Sequence, residues 1–207
     1  MSADGRGLGV LLSGRGSNFV AIAERIRRGD LAARVDLVVS NKADAPGLGA
    51  ARDRGIDAVF LDPRQHPTRA EYDLAVADAL RARDVDLVCL AGWMRILTPE
   101  FIQQFPGRIL NIHPALLPSF PGLHAQRQAL EYGVKVSGCT VHFVDAGVDT
   151  GPIILQQTVP VQDEDTEESL SARILEREHD TYWRAIRTVL SGRVVVRGRR
   201  VTFGAAK

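Results

Sequence analysis

Short apolar runs alternate with helix-period segments along the first half of the chain, and that alternation limits the possible folds more than any other feature. LGVLLS (8–13), VDLVVSN (35–41), DAVFLD (57–62), VDLVCLAG (85–92) and RILNIH (108–113) read as strands. Between them, NFVAIAERIRRG, a Gly/Ala-rich stretch to Gly55, TRAEYDLAVADALRARD and PEFIQQF read as helices. The third of these is amphipathic, with Tyr72, Val76, Ala79 and Leu80 on one side. Such strand–helix–strand alternation predicts an α/β fold, a Rossmann-like, doubly wound, mostly parallel sheet with helices on both faces. After residue 113 the pattern changes to a C-terminal β/α extension. AQRQALEYG is a helix ending at Gly133, VSGCTVHFVD and GPIILQQTVPV are two longer β segments, and a helix runs from about 166 to 190. RVVVRGRRVTF closes the chain as a hairpin turning near Arg197 and Gly198. A chain of 207 residues is expected to be a single domain, 1–207, with halves at 8–113 and 114–207.

In an open parallel sheet, ligands bind beyond the carboxyl ends of the strands. The first strand runs into SGRGSN (13–18), the fourth into GWMRIL (92–97) and the fifth into NIHP (111–114). SGRGSN lacks the third glycine of a dinucleotide fingerprint and the lysine of a P-loop. Gly14 and Gly16 still permit close backbone approach. The amides near Gly16, Ser17 and Asn18, at a helix N-terminus, suit one phosphate. A tight turn with Ser17 or Asn18 as N-cap is the plainer alternative. GWMRIL offers an apolar wall for a flat ligand, or a loop that only covers the core.

NIHPALLPSFPG raises a more specific question. Pro114 forbids continuation of the strand and pushes His113 to extended geometry. Asn111 and His113 therefore share a face at a strand end. In DAGVDTGP (145–152), Asp145 is expected to be a solvated turn residue. Asp149 would favour an imidazolium if it reached a histidine, a contact the sequence does not reveal. In EREHDTY, Glu178 and Tyr182 share a helix face, and their spacing alone favours an ordinary salt-bridged surface. His142 is expected to be packed and hydrogen-bonded in a strand, His66 exposed, and Cys89 and Cys139 reduced and buried.

A net charge of +1 gives no global field for nucleic acid or an anionic membrane. No run of about 18 apolar residues marks a membrane span. No metal-ligand spacing is present among five histidines. The start, MSADGRG, lacks a signal-peptide core, so the cytoplasm is expected.

Taken together and in order, SGRGSN, AGWMRIL, NIHPALLPSFPGLHAQRQAL, VHFVDAGVDTGPIILQ and EREH resemble the glycinamide ribonucleotide formyltransferases, within the folate-dependent formyltransferase family. The resemblance spans 9 to about 190. It implies the formyltransferase fold, with 8–113 as the nucleotide/phosphate-binding half and 114–207 as the folate-binding and C-terminal half. It also implies transfer of a formyl group from 10-formyltetrahydrofolate to the primary amine of glycinamide ribonucleotide, in purine (IMP) biosynthesis. Partners are then two small molecules, with no metal, nucleic acid or membrane, in a monomer or homodimer. Carried over, Asn111, His113 and Asp149 are catalytic, Asp149 orienting and charging His113. Gly16, Ser17 and Asn18 bind the substrate phosphate, and Glu178 contacts the ribonucleotide near its amine. Met94, Arg95, Ile96, Leu97, Arg69, Asp145, Ala146, Gly147 and Val148 bind folate. Arg15 and Leu175 depart from the family pattern. A formyltetrahydrofolate hydrolase, or a formyltransferase for another amine, is the alternative.

Overall fold

The computed structural model describes residues 5–204, and the chain divides after Leu110 into two compact units. The first unit contains strands β1 (Arg6–Leu12), β2 (Ala33–Ser40), β3 (Ala58–Phe60) and β4 (Leu87–Leu90). Its helices are α1 (Ser17–Arg27), α2 (Pro46–Arg52), α3 (Arg69–Arg81) and α4 (Pro99–Gln104). The strand order is β3-β2-β1-β4, and each neighbouring pair is parallel. β1 lies in the middle, with Leu8, Val10, Leu11 and Leu12 fully buried, because a strand covered on both faces has no solvent side for polar residues. Val10 sits opposite Val38 on one side and Cys89 on the other.

The strand bounds shift by a few residues from expectation, and so does the buried face of α3. β3 stops at Phe60, because Asp62 accepts from the Arg64 amide and starts a 3-10 turn over Pro63–Gln65. On α3 the buried face is Tyr72, Asp73, Val76, Ala77 and Leu80, so Asp73 and Ala77 rather than Ala79 turn inward. Thr68 caps this helix by accepting from the Glu71 amide.

β5 (Ile109–His113) begins in the first unit and ends in the second. The second unit then holds α5 (Ala125–Tyr132), β6 (Val136–Phe143), β7 (Ile153–Pro160), α6 (Glu167–Leu190), β8 (Val194–Arg197) and β9 (Arg200–Phe203). β6 and β7 are antiparallel, in the order β5-β6-β7. Gly133, at φ 78°, ends α5 in the left-handed conformation that glycine adopts without cost. Thr166 and Ser169 form a reciprocal capping box at the start of α6. That helix buries Leu170, Ile174, Glu178, Thr181, Tyr182 and Ile186 against β6 and β7. The expected salt-bridged surface at Glu178 and Tyr182 is thus instead buried, at 7% and 0% exposure. β8 and β9 pair as the expected hairpin. No helix among the described residues is long and apolar enough to cross a membrane.

Candidate active site

β5 ends at His113 because Pro114 has no amide to continue it. Asn111 is half-buried and His113 is 4% exposed. Asn111 Nδ2 donates to Asp149 Oδ1 at 3.2 Å and lies 3.2 Å from His142 Nε2. His142 Nδ1 is 2.7 Å from the Phe143 carbonyl, which can only accept, and a proton on Nδ1 leaves Nε2 to accept from Asn111. His113 Nε2 is 2.8 Å from the Phe120 carbonyl, and Nδ1 is 3.2 Å from Asp149 Oδ2. That same Asp149 oxygen accepts from the Gly122 amide at 2.8 Å.

Three backbone positions around His113 have positive φ: Phe120 at 54°, Gly122 at 81° and Asp149 at 54°. For Phe120 and Asp149 this is a strained region, of the kind that accumulates at functional sites. Neighbouring strands hold the proline loop in place. Thr140 Oγ1 donates to the Ala115 carbonyl at 2.7 Å and accepts from the Leu117 amide at 3.0 Å. Gln156 Nε2 donates to the Leu117 carbonyl at 2.9 Å.

Both ring nitrogens of His113 face acceptors, so only an imidazolium satisfies both contacts. Burial nevertheless pushes the ring below the ordinary histidine value, and the nearby Asp149 carboxylate and Phe120 carbonyl only partly restore it. Asp149 therefore orients the ring and favours its charged form, while burial acts against that form and is the larger effect. Burial also works to raise the Asp149 carboxyl. The adjoining His142 ring, the Gly122 amide and His113 outweigh it and hold the carboxyl below its ordinary range.

The loop that delivers Asp149 is built locally. Asp145 accepts from the Gly147 amide at 3.1 Å and from Thr150 Oγ1 at 2.6 Å, so it organises its own turn. Ala146, Gly147 and Val148 are exposed above it. A Cβ on Gly151 would lie 1.8 Å from the Phe143 carbonyl, which leaves glycine as the residue that fits. Cys139 donates to Thr181 Oγ1, and burial pushes its thiol up to about 11. Cys89 and Cys139 are both free and buried.

In the first unit, Gly16 is the N-cap of α1, at φ 71°. Ser17 is already helical, and neither it nor Asn18 serves as the side-chain cap of the plainer alternative. Gly16 fits because a Cβ there would meet Gly47 Cα at 3.1 Å. With no side-chain cap and no acid in the first turn, the amide end of α1 keeps its attraction for an anion. Arg15 is exposed beside it. Along 94–97 the side chains alternate: Met94 and Ile96 are 61% and 53% exposed, whereas Leu97 is buried and Arg95 turns inward. Arg69, the first residue of α3, is exposed. His66 is half-buried against the edge of Tyr72, not fully exposed as expected.

Among the described residues no group of three or more His, Cys, Asp or Glu could hold a metal ion. Sequence reasoning gathered Asn111, His113 and Asp149, and missed Phe120, Gly122 and the contact of His142 with Asn111. Alternation along VHF could have flagged His142, since Thr140 and His142 share a strand face.

Residues 8–186 match the family described as formyl transferase. The trifunctional purine biosynthetic protein adenosine-3 of Drosophila melanogaster is 46% identical over 90% of this chain, which spans 14% of that protein. Its Gallus gallus counterpart is 48% identical, and the chain covers 90% of itself and 19% of that relative. The chain thus spans less than a fifth of these trifunctional relatives. The phosphoribosylglycinamide formyltransferase of Haemophilus influenzae is 45% identical over 90% of this chain and 88% of its own length. Among solved structures, glycinamide ribonucleotide transformylase 1 from Symbiobacterium toebii is 54% identical at a TM-score of 0.96, covering 99% of this chain and 96% of its own. The likeness carries the expected α/β fold, a mostly parallel sheet of seven strands ordered β3-β2-β1-β4-β5-β6-β7.

Proposed function

The chain belongs to the formyl transferase family, and we propose that it transfers the formyl group of 10-formyltetrahydrofolate to the primary amine of glycinamide ribonucleotide, in purine (IMP) biosynthesis. The relatives named phosphoribosylglycinamide formyltransferase, matched over nearly their full length, support this acceptor. The observation that carries the chemistry is the hydrogen-bonded cluster of Asn111, His113 and Asp149 at one strand end. We take 1–207 as one formyltransferase domain working in the cytoplasm on two small molecules, as a monomer or homodimer, without nucleic acid or membrane.

In this reading the amine attacks the formyl carbon. A new C–N bond forms, the bond from carbon to folate N10 breaks, and the proton lost by the amine ends on N10. The intermediate is a tetrahedral oxyanion, and one preorganised donor to such an oxygen can be worth about 3–4 kcal/mol. Asn111 and His113 are the donors, each exchanging a protein acceptor for the formyl oxygen. Asp149 orients His113 and steadies any proton the ring takes up. Burial lets the His113 ring give up its proton more readily, so it can pass that proton to N10 and take up the one the amine loses, a role typically worth roughly 10²- to 10⁴-fold. Gly16, Ser17 and Asn18 bind the substrate phosphate, and Glu178 faces the amine side. Arg69, 94–97 and 145–148 bind folate.

The test is folate release from 10-formyltetrahydrofolate, with and without glycinamide ribonucleotide, and with His113→Asn in parallel. Release that needs both the amine and His113 is expected. Release without the amine would instead make the protein a hydrolase.

A further inference from the structure

The residues that follow β4, 92–98, are gripped at both ends by buried side chains of the first unit. At the start, the Ser13 amide donates to the Gly92 carbonyl at 2.9 Å. Ser13 Oγ accepts from the Met94 amide at 2.9 Å and donates to Asn41 Oδ1 at 2.6 Å. At the end, Asp73 on α3, fully buried, accepts from the Thr98 amide at 2.8 Å. Between these grips the Tyr72 ring lies parallel to Trp93, with centroids 6.5 Å apart and planes 7° apart. The same Tyr72 ring carries the Arg95 guanidinium 4.7 Å from its centroid. Trp93, Arg95 and Leu97 are thereby committed inward, and Met94 and Ile96 outward.

A carboxylate is costly to bury without a partner. What Asp73 supplies is a fixed acceptor for the Thr98 amide. Ser13 likewise supplies one hydroxyl that accepts from Met94 while it donates to Asn41, which fixes its rotamer. These grips set a single register for 94–97: a slip of one residue would turn Arg95 outward and Met94 in.

We propose that Ser13 and Asp73 are positioning residues for folate binding, holding 94–97 so that Met94, Ile96 and the intervening backbone present a fixed wall. The proposal rests on the folate role of 94–97 advanced above. A group that only stabilises the fold would affect both substrates alike or neither. A group that positions this wall acts on one substrate.

The experiment is steady-state kinetics on the full chain, varying each substrate separately, for the parent, Ser13→Ala, Asp73→Ala and Asp73→Asn. Ser13→Ala and Asp73→Ala are expected to raise KM for 10-formyltetrahydrofolate roughly 5- to 10-fold, the scale of one lost hydrogen bond. KM for glycinamide ribonucleotide and kcat should stay within about twofold. Asp73→Asn keeps an amide oxygen for Thr98 and should restore the folate KM. An unchanged folate KM in Ser13→Ala overturns the proposal; because this variant loses one oxygen atom, it decides the matter even if Asp73→Ala does not fold. Asp73→Asn as impaired as Asp73→Ala, or equal rises in both KM values, overturns it as well. An inactive parent chain would overturn the functional reading and this inference with it, whereas an active parent with an undisturbed Ser13→Ala overturns only this one.

Discussion

Asn111 Nδ2 lies 3.2 Å from both Asp149 Oδ1 and His142 Nε2, and the carboxylate, which can only accept, turns the amide nitrogen toward both. With the amide turned over, its oxygen would meet both a carboxylate and an imidazole lone pair. Asn111→Asp imposes that arrangement permanently. Turnover is expected to fall by about 10²- to 10³-fold, the loss typical of one oxyanion donor, with KM values within a few-fold. Circular dichroism should match the parent. Retention of more than a tenth of the parent kcat would remove Asn111 from the proposed chemistry.

Asp149→Asn keeps the shape of the side chain and removes its charge. His113 then loses the carboxylate that opposes burial, and its affinity for a proton drops further. A fall in kcat of roughly 10²-fold or more is expected, on the scale of lost general acid–base catalysis. Loss of activity accompanied by an unfolded spectrum would point to a structural role for Asp149 instead.

Ser17→Ala and Asn18→Ala alter the uncapped end of α1. Each should raise KM for the phosphorylated amine more than KM for the folate. Added sulfate should compete with the amine substrate and not with the folate. Equal effects on both substrates would argue against a phosphate site at this turn.

Stability should decline on acidification. Burial depresses the histidine values of His113 and His179 below the ordinary 6.5. Below that value the unfolded chain binds protons that the folded chain refuses, so stability falls as the pH drops toward the folded values. Above it both states are neutral and nothing is lost. The depressed Asp149 carboxyl acts in the same sense at lower pH: its contribution is complete above about 3.8 and fades as the pH falls through its folded value. Thermal melts between pH 7.5 and 5 should show a falling Tm, with a shallower fall in His113→Asn. An equally steep fall in that variant would exclude His113 as a source.

Gly151→Ala places a Cβ 1.8 Å from the Phe143 carbonyl, backbone against backbone. The start of β7 must shift, at about 1–3 kcal/mol by analogy with overpacked cores, and Asp149 moves with it. A lower denaturant midpoint and a lower kcat are expected together. An undisturbed midpoint would show that the turn has room the structure does not display.

The strands were legible because a strand covered on both faces must be apolar throughout, as LGVLLS is. The strand-end location of Asn111 and His113 followed from one proline. The partnership with Asp149 did not, because 38 residues separate it from Asn111 and the connection depends on how β6 and β7 pair. Glu178 misled for a related reason: spacing on a helix gives a face, and only packing says which face is covered. Asp73 was hidden in an amphipathic pattern, where an acid beside Tyr72 reads as solvent-facing until its Thr98 partner, 25 residues on, is known. The ionisation of His113 lay furthest from the sequence, since it is a balance between burial and a neighbouring charge.

One oxygen of Asp149 serves two donors, the Gly122 amide and the His113 ring. Its electron density is divided between a backbone and a base. A displacement of Gly122 away from it would return that density to the ring and strengthen its hold on a proton; a proton gained by the ring would loosen the grip on Gly122. Mechanical strain in the proline-rich segment and basicity at the strand end are therefore conjugate quantities, and pressing on the one titrates the other.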